Sequence, residues 1–150
     1  MSARWTALAL LAPLLAAPTA RPTPPVLDAL WDGTRVTRPL SELPDLDRLG
    51  PDEAFKVREL GRDAHSSHHV VWIRDREQPH RHDRHDLFVV MLRGHGSMRL
   101  GDEERPVGEG SILYVPRGTP HAFRNASDEV AVAYAVYAPA FDGTDRQPVE

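Results

Sequence analysis

The chain has 150 residues, 41% of them hydrophobic and 27% charged, which is enough for one domain with a real core. It carries 18 basic and 22 acidic residues for a formal net charge of −4, and its arginines are scattered among carboxylates, so nothing in the charge points to a nucleic-acid partner. Cysteine is absent, which excludes disulfides, thiolate metal sites, cysteine nucleophiles and a lipid-modified cysteine.

Residues 1–20 differ in kind from the rest. Arg4 is followed by an almost wholly apolar run over residues 5–17, the length of a signal-peptide core and too short to span a bilayer comfortably. The small residues Ala16, Ala17, Thr19 and Ala20 put the expected cleavage near Ala20, and the expected destination is the periplasm or the exterior, with no membrane association after cleavage. Residues 21–50 read as an N-terminal arm. It starts with the proline-dense stretch 21–25 and includes a short helical turn within residues 41–47, limited by Pro39 and Pro44.

From Ala54 onward the pattern predicts short strands over residues 55–60, 69–74, 87–93, 97–100, 111–115, 121–124 and 130–137, with turn signals between them. Evenly spaced short strands without a long helical period predict an all-β sandwich or barrel over residues 51–139. Leu87, Val89 and Met91 lie on one side of their strand and Phe88, Val90 and Leu92 on the other, so the outer face needs a cover from the arm or from a second copy of the chain. The row Ala131, Ala133, Ala135 leaves space beside it, either inside a barrel or out. The tail, residues 140–150, is polar apart from Phe141 and Val149 and is expected to wrap the surface.

All eight histidines fall between His65 and His121. His80 and His82 are two residues apart, which on a strand places both rings on one face, roughly 6–7 Å apart. A third imidazole, His121, follows a strand-like run and a Pro116-Arg117-Gly118 turn. Three nitrogen donors on a β scaffold suit one metal ion. The ligands must be neutral to bind, so affinity is expected to fall as the pH drops through about 6.5. His65, His68 and His69 read as exposed residues at a strand entrance, and His95 as a solvated turn residue between Gly94 and Gly96.

The spacing of Gly110, Pro116, Gly118, His121 and Asn125 resembles in full the second sequence motif of the cupin superfamily, and His80-x-His82 followed by Gly94 resembles the first. Asn125 is the only asparagine in the chain, and this motif explains it better than the sequon Asn125-Ala126-Ser127 does. The first motif departs from the family, which carries a glutamate three or four residues after the second histidine. With the four-residue gap Gly94 is in register and Leu87 stands at the glutamate position. With the three-residue gap Asp86 stands there, turned inward by a bulge, and the glycine comes one residue late.

The resemblance implies a double-stranded β-helix, or jelly roll, holding one divalent transition metal on His80, His82 and His121. Asp86 or His85 is the candidate fourth ligand, with water or substrate completing the shell. Such a donor set suits Fe, Mn, Zn, Ni, Co or Cu. Phe123, on the strand face of His121, is the expected pocket wall, with His85 and Tyr114 as further pocket residues and, with Asp86, candidates for proton transfer. The resemblance also implies a homodimer and two functional readings. One is an exported metal-binding module with a small molecule in the barrel. The other is a mononuclear metal-dependent oxidoreductase (dioxygenase) or isomerase acting on a small anionic or enol-like substrate.

Overall fold

The computed structural model describes residues 22–149, so the expected signal peptide at 1–20 lies outside the described residues. The strands in chain order are β1 (Val26–Trp31), β2 (Thr34–Pro39), β3 (Phe55–Arg62), β4 (Ser67–Ile73), β5 (His80–Arg81), β6 (Asp86–Arg93), β7 (His95–Leu100), β8 (Glu103–Gly108), β9 (Ile112–Val115), β10 (His121–Asn125), β11 (Ala131–Ala138) and β12 (Gln147–Pro148). One five-stranded sheet runs β12-β5-β10-β7-β8, a second runs β3-β4-β11-β6-β9, and β1 pairs with β2. Every pairing is antiparallel, and the fold is the jelly roll that the motifs imply.

Strands that are apolar on both sides serve two separate cores. In β4, Val71 and Ile73 face the interior, where they meet Leu87, Val89 and Met91 of β6 and the alanine row of β11. The row Ala131, Ala133, Ala135 therefore faces in. Val70 and Trp72 face out, and the N-terminal arm covers them. Leu43 of the arm is fully buried beside Val70, Trp72 and Val132, and Trp72 Nε1 donates to the carbonyl of Pro44 at 2.9 Å, satisfying the indole N–H that burial would otherwise strand.

The arm is more ordered than a lead-in with one helical turn. The turn is a 3-10 segment, Leu40–Asp45, with Pro44 inside it, and before it stands the β1–β2 hairpin. Asp32 and Gly33 close that hairpin at φ 47° and 79°, the two positive values that a tight two-residue turn demands. Beyond the hairpin, two further strands were not predicted: β12, formed by the tail, and β8. Strand β8 is charged, contains Pro106 and sits at a sheet edge, where a missing N–H breaks no ladder.

Leu43→Ala is expected to cost about 2–5 kcal/mol, the usual range for emptying a buried leucine site. Urea unfolding followed by tryptophan fluorescence reads it as a lower midpoint. An unchanged midpoint would show that the arm is not part of the cooperative unit.

Candidate metal centre

His80 and His82 are buried on either side of the half-exposed Arg81, as strand alternation requires. His121 opens β10 directly opposite His80 in the antiparallel register. The ring centroids lie 4.3 Å apart for His80–His121, 5.1 Å for His80–His82 and 5.4 Å for His82–His121. One nitrogen from each ring falls within 4.8 Å of the others. The two motifs are also tied by their turns: Gly118, held at φ +78°, donates its N–H to the carbonyl of His82 at 2.6 Å.

The outer nitrogens decide the tautomers. His80 Nδ1 lies 2.9 Å from Gln78 O, His121 Nδ1 donates to Thr119 O at 3.0 Å, and His82 Nδ1 donates to the carbonyl of Asp145. A carbonyl only accepts, so Nδ1 of His82 and of His121 carries the proton and their Nε2 atoms keep the lone pair, whereas His80 Nδ1 stands between the Gln78 carbonyl and the donor-only Arg146 guanidinium at 3.1 Å. The Nε2 atoms of His82 and His121 are buried without a partner. Buried polar atoms are seldom left so, and this donor set fits a cation that takes imidazole nitrogen. Burial holds His80 at about 3, with the neighbouring His121 adding to the effect, and holds His121 at about 4; it lowers His82 as well.

Beside the cluster lies a cavity of about 50 Å³, room for a few water molecules or a small ligand. Its walls are largely apolar and include Val71, Leu87, Met98, Phe123 and Ala135, and its polar groups are His80, His121, Glu77 and Tyr137. Phe123 is where the strand-face argument put it. Glu77 accepts from the N–H of Phe123 at 3.3 Å; burial raises its pKa, against the opposing influence of Arg146 and that N–H. Tyr137 is raised by burial and by the charge of Glu77.

Three expected site residues lie elsewhere. Asp86 does not join the converging donors. Its carboxylate accepts the backbone N–H of Arg117 at 2.9 Å and pairs with the Arg117 guanidinium at 2.8 and 3.1 Å, which hold it at about 2. A guanidinium fork from the second motif has taken the carboxylate that the first motif offered to the metal. His85 is buried, but it donates to Asp145 at 2.6 Å and does not line the cavity. Tyr114 is 57% exposed, because Leu113 and Val115 take the inward positions of β9 and leave Ile112 and Tyr114 outside. His69, read as exposed, is buried against Tyr137, its ring bonded to Ser67; His65 and His95 are exposed as expected. Glu77, Tyr137, Asp145 and Arg146 were not foreseen, since no motif position marks them.

A profile of the cupin domain matches residues 67–137, and an uncharacterized protein of Aquifex aeolicus is 36% identical over 104 residues, covering 69% of this chain and 85% of that protein. The chain belongs to the cupin superfamily. Among solved structures, TT1209 from Thermus thermophilus is similar at 25% identity with a TM-score of 0.60, over 66% of this cupin and 95% of that chain. Pac13 of Streptomyces, a nucleoside dehydratase, shares the fold at 21% identity and a TM-score of 0.57, over 69% of this chain and 84% of its own.

The lowered imidazoles have a signed consequence. In the unfolded chain the rings titrate near 6.5, so as the pH falls the unfolded state takes up protons first. The stability that the neutral rings retain is complete above about 6.5 and drains away as the pH falls toward about 4, where His121 begins to charge in the fold. Metal-free protein should show a melting temperature that is level above pH 6.5 and falls steadily from there to pH 4. Proton competition for a cation in the folded site sets in below the 6.5 of an unburied imidazole, because burial lowers all three rings.

Proposed function

We propose that the chain is an exported single-domain cupin that holds one divalent transition metal on His80, His82 and His121 and presents it to a small molecule in the barrel. The observation that carries this reading is the pair of buried, partnerless Nε2 atoms that converge with the third ring at the edge of an apolar cavity. Three imidazoles leave coordination positions for water or a ligand, and a divalent cation there supplies a Lewis acid. The apolar first twenty residues support export, and N-terminal sequencing of the protein recovered from the periplasm or medium tests it. Pac13, which binds uridine, supports a small-molecule occupant for barrels of this shape.

The second reading is a mononuclear metal-dependent oxidoreductase or isomerase acting on a small anionic or enol-like substrate. Glu77 and Tyr137 favour it, because they set a carboxyl and a hydroxyl on the wall of the same cavity as two of the ligands. Such groups hold or pass a proton when a substrate is bound. A homodimer is supported by the apolar strip of Phe88, Ile112 and Tyr114, which is 41%, 64% and 57% exposed.

Metal analysis of purified protein should return about one equivalent of metal, absent from the folded His80→Ala/His82→Ala/His121→Ala variant; metal retained by that variant places it elsewhere. In an assay panel of phenols, thiols and diketones followed by oxygen uptake and product analysis, Glu77→Gln should lower any turnover about 10²-fold or more with metal content unchanged. Full turnover in Glu77→Gln removes Glu77 from the chemistry. Light scattering at micromolar concentration should give twice the chain mass, and a Phe88→Glu/Tyr114→Glu variant the single mass.

A further inference from the structure

The three ligands are not supported alike. His80 and His121 each set Nδ1 against a carbonyl two residues upstream on their own segment, Gln78 and Thr119, and His80 Nδ1 also meets the Arg146 guanidinium at 3.1 Å. His82 has no such local partner and donates to the carbonyl of Asp145, 63 residues downstream and beyond the stretch matched by the family profile. Its orientation therefore depends on where a remote segment lies.

Asp145 also carries the device that fixes that segment. Its side chain is 2% exposed, and its carboxylate accepts from the N–H of Asp83 at 3.0 Å, the N–H of Arg84 at 2.7 Å and His85 Nδ1 at 2.6 Å. Burial opposes the anion, but the donors from His85, Arg84 and Asp83 prevail and hold the carboxyl at about 2. All three donors come from the residues that immediately follow His82. One residue thus grips the loop through its side chain and the ligand ring through its main chain. The segment is tied on both flanks as well. Phe141 N–H donates to Ser67 Oγ at 2.8 Å and its ring packs edge-on to His82 at 5.6 Å, while β12 pairs with β5 so that Pro148 stands opposite His80.

We propose that Asp145 is a positioning residue of the metal centre, which locks His82 in the Nδ1–H tautomer and holds its Nε2 toward the other two rings. The inference rests on the metal-binding reading above. Partners of the outer nitrogen of a metal-bound histidine set ring orientation and basicity, and losing one typically weakens metal binding by about 10–100-fold. Asp145→Asn keeps the volume but turns an N–H donor toward backbone N–H groups that need acceptors, so it loosens the grip. Asp145→Ala removes it.

The test uses the full chain with Co(II) as probe, reading affinity by chelator competition, the visible d–d spectrum, and melting temperature with and without metal. Both Asp145 variants should bind Co(II) about 10–100-fold more weakly, show a changed spectrum and lose part of the metal-induced rise in melting temperature. Asp142→Ala, which removes the exposed 2.8 Å pair with Arg84 and the bonds from Thr144 N–H and Oγ1 at 2.9 and 2.8 Å but none of the Asp145 contacts, should leave all three readings at wild type. Wild-type affinity and spectrum in the Asp145 variants, or equal losses of melting temperature with and without metal, overturn the proposal. If neither variant folds, the wild type decides. Coupling is reciprocal, so zinc loading should slow amide exchange at Asp83 and Arg84 at least about tenfold relative to amides of β1, and equal protection with and without zinc overturns the proposal. Wild type that binds no Co(II), or binds it unchanged when His80, His82 and His121 are all alanine, overturns the metal-centre reading itself. Binding lost in that triple variant but intact in the Asp145 variants overturns the Asp145 proposal alone.

Discussion

Main-chain carbonyls govern this protein's centre. Each of three buried imidazoles sets its outer nitrogen against a peptide oxygen, and for His82 and His121 this fixes one tautomer and one inward lone pair. Burial lowers the pKa values of these rings against the opposing pull of the carbonyls, and it leaves the Nε2 atoms of His82 and His121 without partners. An arrangement selected for stability alone would not keep unpaired nitrogens in a largely apolar interior, because each costs about 1–3 kcal/mol of desolvation. Among the described residues a buried unpartnered side-chain nitrogen also stands at His69, but only those of His82 and His121 belong to the converging cluster, and such clustered exceptions mark a functional site.

The barrel and the ligand triad were legible because both rest on local regularities. Strand alternation put His80 and His82 on one face, and the spacing from Gly110 to Asn125 located His121 and its turn. Asn125 then proves to act through its backbone neighbours, donating to the carbonyls of Arg74 at 2.9 Å and Glu129 at 2.7 Å while accepting from Ser127 N–H at 3.0 Å. The hairpin at Asp32-Gly33 is equally local, but the prolines that flank it mask its strand pattern in the sequence. Asp86 and Asp145 could not be told apart from sequence. Both are aspartates beside a histidine or an arginine, and only tertiary geometry assigns one to Arg117 and the other to the loop after His82. Tyr114 was misplaced because a strand's alternation gives two faces without saying which is inner.

The two cores divide the work of the large sheet. Its inner face combines alanines of β11 with larger side chains of β4 and β6, and that contrast in size leaves the cavity open. Its outer face is sealed over β4 and β11 by the arm, with Trp72 and Leu43 at the contact, while β6 and β9 carry uncovered apolar side chains at Phe88, Ile112 and Tyr114. The same alternation that lines the pocket therefore also produces the strip available to a second chain.

The smaller ligand-bearing sheet ends on one side in β8 and on the other in β12, and each of these strands contains a proline, Pro106 and Pro148. A residue without an N–H cannot continue a ladder, and β8 adds Glu103, Glu104 and Arg105 as flanking charge. Augmentation by a further strand is thus discouraged at both margins. The sheet that holds the histidines ends within its own chain, while the uncovered apolar side chains Phe88, Ile112 and Tyr114 belong to the other sheet.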